Sequence, residues 1–163
     1  MKYCFELFPS SDTSAEGVTL AKKLAKEVLG KDIAIIYDKN GKPRIEDSSC
    51  GISISHSFDM VFCGIAGGEI GVDTEKIREF DERISSRFFT LSEKEFAEKS
   101  KENFFKVWTV KEAIVKLTGE GLKALTRVCA VENGNIISSW HDCKVKSFIE
   151  NGYAFAVVWE EKE

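Results

Sequence analysis

The chain has 163 residues, 43% of them hydrophobic, with 23 Lys and Arg against 27 Asp and Glu and a formal charge of −4. That length suits one compact unit, since domains run to about 100–200 residues, and the apolar share supports a core rather than a disordered chain. Cations are scattered rather than gathered into a stripe, no run nears the about 18 apolar residues of a membrane span, and the charged start lacks a signal peptide's apolar run. The expectation is a cytoplasmic protein with no nucleic acid and no membrane as partner.

In chain order, KYCFELF alternates polar and apolar residues and predicts a strand. Thr13 and Glu16 have capping-box spacing for a helix that would bury Val18, Ala21, Leu24, Ala25 and Val28 and stop at Gly30. DIAIIYD is β-branched enough for a strand, KNGKP marks a turn, and the strands GISISHS and MVFCGIA precede Gly67-Gly68 and EIGVDTEKI. The second half turns helical. Thr90 and Glu93 form another capping box, and a longer helix is expected from about Asn103 to Thr118. Three closing strands surround the Asn133-Gly134 and Asn151-Gly152 turns.

This order predicts an α+β fold in a single unit, 1–163, without regular βαβ alternation and without a Gly-rich dinucleotide or Walker loop. Composition shifts near residue 72, but no sequence repeat links the two halves. Five cysteines without a C-x-x-C pair indicate neither a disulfide framework nor a zinc site, and most are expected as small buried residues. His141, in a polar connection, is expected at the surface.

Three stretches could carry chemistry. Asp73 and Glu75, at i and i+2 of a strand, would project to one face, and two carboxylates held close and partly buried call for a cation such as Mg²⁺. Taken alone, the pair is explained more simply by a solvated edge strand with its polar residues outward. In FFKVWTVKEAIVKLTGEGL, Val107, Val110, Ile114 and Leu117 form one apolar stripe and Phe104, Trp108 and Val115 a second. Glu112 and Lys116 would share the narrow remaining strip with Thr109, as a cleft lining or as an ordinary i,i+4 surface pair. Three acids and a cation are the equipment for moving a phosphate group. In ISISHSFD, Ser55, His56 and Ser57 could meet phosphate oxygens, although adjacent strand residues face opposite ways, which excludes a local Ser-His nucleophile pair.

GKPRI, ISHS, GVDTE and WTVKEAIVKLTGEGL, in that order, resemble the successive motifs of the 4′-phosphopantetheinyl transferase superfamily. Within it the chain looks like the surfactin-synthetase-activating type, and the likeness runs from about Lys31 to Leu122. The resemblance implies two similar α+β halves related by a pseudo-two-fold in one chain, about 1–72 and 73–163, with the active site between them in a monomer. It implies transfer of the phosphopantetheine arm of coenzyme A to a serine of an apo acyl- or peptidyl-carrier protein, releasing adenosine 3′,5′-bisphosphate. By the same resemblance Asp73, Glu75 and Glu112 would bind Mg²⁺, Glu112 would also be the general base, and Lys116 would neutralise pyrophosphate charge or protonate the leaving group. Lys42 and Pro43 match the coenzyme-binding turn, Ser55 and His56 its phosphate contacts, and Lys111 would help line the same pocket. Glu93 is assigned to its cap and left outside the site. Two other functions fit parts of the pattern. One is a coenzyme A or carrier-protein binding module without catalysis; the other is a Mg²⁺-dependent phosphoester hydrolase.

Overall fold

Strand β1 (Lys2–Leu7) leads into helix α1 (Thr13–Leu29), whose two ends are written in the sequence. In the computed structural model, which describes residues 1–9, 12–140 and 142–161, the Asp12 carboxylate accepts from the Ser14 and Ala15 amides. Asp12 is therefore the cap, and the Thr13–Glu16 box is not used. The helix stops at Gly30, whose φ of 71° places it in the left-handed region. Its inner face is Gly17, Leu20, Ala21, Leu24 and Ala25, a rotation that leaves Val28 exposed, against the expectation.

The first half continues with β2 (Ile35–Tyr37), β3 (Pro43–Ile45), β4 (Gly51–Ser57) and β5 (Met60–Ala66). NGKPRI is thus more than a turn, because its last three residues pair with β2 and Arg44 also pairs with Gly51 of β4. The second half holds β6 (Ile70–Lys76), α2 (Glu82–Phe88), α3 (Leu91–Ala97), α4 (Lys101–Thr118) and a 3-10 turn at Leu122–Thr126. Four strands follow: β7 (Val131–Glu132), β8 (Asn135–Ile136), β9 (Cys143–Glu150) and β10 (Tyr153–Glu160). Three strands were expected around the two Asn-Gly turns. The first turn instead closes the short β7–β8 pair, a small sheet of its own. The Thr90–Glu93 capping box forms as read, and α4 starts slightly earlier than expected, where the Ser100 hydroxyl accepts from the Asn103 amide.

The two halves share one connectivity. The first sheet runs β1-β5-β4-β3-β2 and the second β6-β10-β9, all antiparallel, so in each the leading strand pairs with the last strand of a hairpin. A helix packs on each sheet, α1 on β4 and β5, α4 on β6 and β10. The halves also meet reciprocally. β4 stands against β6 through serine hydroxyls, and β9 stands against β1 through Lys146, whose ammonium bonds the Tyr3 hydroxyl at 2.6 Å. Between the sheets lies an aromatic core in which the Phe155 ring sits 4.8 to 5.1 Å from Phe5, Phe62 and Phe148.

All five cysteines are free thiols, and only Cys63 is fully buried, fewer than expected. His141 lies outside the described residues. Among the described residues, no helix is long and apolar enough to cross a membrane.

Candidate active site

β6 is an edge strand, paired on one side only with β10. Its residues alternate: Val72 and Ile70 enter the core between the sheets, while Gly71, Asp73 and Glu75 share the face turned to α4. Gly71 is required there, because a Cβ at that position would stand 1.8 Å from the Ala113 carbonyl oxygen of α4. This close approach brings the helix down onto the strand, and two positions further on it delivers Lys116 to Asp73.

The Lys116 ammonium bonds Asp73 Oδ1 at 2.7 Å and Ser55 Oγ at 2.8 Å, and the Ser55 hydroxyl in turn donates to the same Asp73 oxygen at 2.8 Å. Asp73 is 4% exposed, and its second oxygen, Oδ2, is buried without a hydrogen-bond partner among the described residues. An unpartnered buried carboxylate oxygen is a cost unless a ligand satisfies it. Burial, and next the Asp73 charge, push the Glu112 carboxyl up to about 7. Glu75 is raised by the same two causes, burial first, while the Ser57 hydroxyl donates to it at 2.9 Å. The three carboxylates therefore share one electrostatic field, with Lys116 as its counterweight.

Mg²⁺ fits this donor set in a particular way. Among the described residues no three His, Cys, Asp or Glu side chains form a closed metal cage. Mg²⁺ rarely needs one: it keeps several waters and binds through one or two carboxylates plus substrate phosphates. The unpartnered Asp73 Oδ2 and the raised Glu75 and Glu112 are hard oxygen donors of that kind.

Beside this cluster opens a cavity of about 250 Å³ between the halves, lined by Lys42 and Pro43 from the first and by Val115, Lys116 and Gly119 from the second. Lys42 is 8% exposed, and its ammonium is held by Glu69 and by the Leu117 carbonyl at the end of α4. Burial lowers its pKa, opposed by Glu69. Arg44 grips the other Glu69 oxygen. Lys42 thus lines the cavity with its stem while its charge fastens the two halves.

The structure brings Asp73, Glu75, Glu112, Lys116 and Ser55 together and places Lys42 and Pro43 on the adjoining wall. Ser55 is present but occupied: its hydroxyl already serves Asp73, Lys116 and the Thr74 amide. His56 lies on the opposite face of β4 from the serines and is exposed, so it is not among the carboxylates. Lys111 does not line the pocket. It is fully buried on another side of α4, where its ammonium pairs with Glu93 at 3.0 Å and also meets the Val128 carbonyl. Glu93 also accepts from the Thr90 and Ala130 amides, which makes this a satisfied core ion pair. Thr109 leaves the polar strip too, since it is buried and its hydroxyl donates to the Phe105 carbonyl. Sequence reasoning missed Glu69, for which a lone acid after two glycines gives no signal, and the joint role of Ser53, Ser55 and Ser57. Their period-two spacing opposite GVDTEK could have revealed it.

A family model described as the 4′-phosphopantetheinyl transferase superfamily matches residues 69–158, more than half of the chain and the span that carries the acids and α4. The chain belongs to that superfamily. It is 34% identical over 114 residues to the 4′-phosphopantetheinyl transferase gsp of Aneurinibacillus migulanus, covering 65% of this chain and 48% of that protein. It is 37% identical over 89 residues to psf-1 of Bacillus pumilus, with coverages of 51% and 38%, and 30% identical over 140 residues to Sfp of Bacillus subtilis strain 168, with 77% and 62%. The chain therefore spans about half the length of the curated relatives it matches.

Proposed function

We propose that this chain transfers the 4′-phosphopantetheine group of coenzyme A to a serine of an apo carrier protein and releases adenosine 3′,5′-bisphosphate. The observation that carries the reading is the convergence of Asp73, Glu112 and Lys116, the last of which also lines the cavity walled by Lys42 and Pro43. Family membership supports it.

In this reading the carrier serine oxygen attacks the phosphorus that bears the pantetheine arm. A new P–O bond forms, and the P–O bond to the bridging oxygen of the pyrophosphate breaks. The serine proton passes to Glu112, whose carboxyl, raised to about 7, is poised to accept it near neutral pH. Lys116, fixed by Asp73 and Ser55, offers positive charge, or a proton, to the departing phosphate oxygen. Asp73, Glu75 and Glu112 would hold Mg²⁺, which supplies charge neutralisation across the pyrophosphate. All these groups come from one chain, and the active species is a monomer.

The test is intact-mass analysis of apo acyl and apo peptidyl carrier proteins incubated with the chain, coenzyme A and Mg²⁺. A gain of ~340 Da on the carrier, lost when EDTA is added, is the expected result and names the carrier class. Glu112→Gln should cut turnover by about 10²- to 10⁴-fold, the usual worth of a general base. Near-normal turnover of that variant would remove Glu112 from its role. Coenzyme binding with no transfer to any carrier would overturn the transferase reading.

A further inference from the structure

The outer edge of β6 carries amides that no strand pairs. Three hydroxyls of β4 take them instead. Ser53 Oγ accepts from the Val72 amide at 3.0 Å, Ser55 Oγ from the Thr74 amide at 3.3 Å, and Ser57 Oγ from the Lys76 amide at 3.2 Å. All three serines are buried, and their spacing of two matches the pleat of both strands.

Each hydroxyl accepts one of these bonds and keeps its own hydrogen to give. What that hydrogen meets is set by the facing residue of β6. Ser55 donates to Asp73 and Ser57 donates to Glu75, whereas Ser53 faces Gly71, which has no side chain. Both acidic positions of the pair are thus held from behind by a donor that is itself fixed to the strand bearing the acid. Such a bond chooses which carboxylate oxygen turns away and which remains for a cation.

We propose that Ser57 is a positioning residue for cation binding: its hydroxyl, anchored on the Lys76 amide, sets the orientation of Glu75 and so the affinity of the site for a divalent ion. The inference rests on the metal reading above and adds to it a residue outside the ligand set. Ser53, which lines the adjoining cavity, is the built-in control for the ion alone, because it makes the same amide bond and donates to no carboxylate among the described residues.

The experiment measures Mn²⁺ binding by electron paramagnetic resonance, alone and with coenzyme A, on the unaltered chain, Ser53→Ala, Ser57→Ala, Glu75→Gln and the Ser57→Ala/Glu75→Gln pair. Thermal midpoints in EDTA are recorded alongside. Both serine variants should lose similar stability, since each deletes one acceptor of a β6 amide. Without coenzyme A, only Ser57→Ala should weaken Mn²⁺, by about tenfold, as loss of a partner behind a metal ligand commonly does. In the Glu75→Gln background the serine change should weaken binding no further, because Ser57 acts through Glu75. Ser57→Cys, close in size and only a weak donor, gives the same comparison if the alanine variant folds poorly. Equal Mn²⁺ affinities for the Ser53 and Ser57 variants without coenzyme A, or losses that simply add in the double variant, would overturn the proposal while leaving the metal reading intact. No Mn²⁺ binding by the unaltered chain in either condition would overturn the metal reading and this inference with it.

Discussion

Glu112 sits where burial and the Asp73 charge both oppose its ionisation, and this makes its titration a property of the whole fold. Its carboxyl lies near 4.5 when unperturbed and at about 7 in the folded chain. Between those values the folded state holds a proton that the unfolded state has lost. The stability this confers is complete below about pH 4.5, declines as pH rises and is gone above about 7. In EDTA, melting of the unaltered chain should therefore come several degrees lower at pH 8 than at pH 5.5. Glu112→Gln should flatten much of that fall while cutting turnover as stated above. An unchanged slope in the variant would show that the burden of the acid cluster lies elsewhere.

At the level of elements, the decisive contact is α4 lying on β6. Gly71→Ala would drive a Cβ into the Ala113 carbonyl, a backbone atom that no rotamer change can move aside. Urea unfolding should register a loss of about 3 kcal/mol, the upper range for overpacking. Gly67→Ala, where nothing lies within 4 Å of the added carbon, should change little. Periodicity and caps made this part of the molecule legible: GVDTEK as a strand, the Thr90–Glu93 box and the end of α4 at Thr118 all stand as the residues suggested. Where reading failed, local chemistry had two solutions. Asp12 and Thr13 are both good caps, and the chain used the first. Lys111 and Lys116 are both cations on one helix, and only packing against Glu93 and Val128 decides which is buried in the core and which reaches Asp73. The short α2, which buries none of its residues fully, carries no apolar period to be read.

For the molecule as a whole, the same connectivity appears twice although no repeat is visible in the residues, because topology constrains where strands pair and not which side chains fill them. The two sheets enclose one aromatic core, with Phe155 of the second half in contact with Phe5 and Phe62 of the first. The halves should consequently unfold together. Phe155→Ala is expected to cost about 3–5 kcal/mol and to lower a single transition seen at the same temperature by near- and far-ultraviolet circular dichroism. Two separated transitions would mean that the halves are independent domains.

The serine row has a mechanical consequence as well. Had β4 and β6 joined by a backbone ladder, the two sheets would have fused along that edge, and opening the seam would mean breaking main-chain bonds on both strands. With hydroxyls in between, the edge amides of β6 are satisfied by groups that can swivel about a single χ1 bond. The border between the halves is thus closed by three side-chain bonds, and the main-chain ladder of each sheet ends at its own edge.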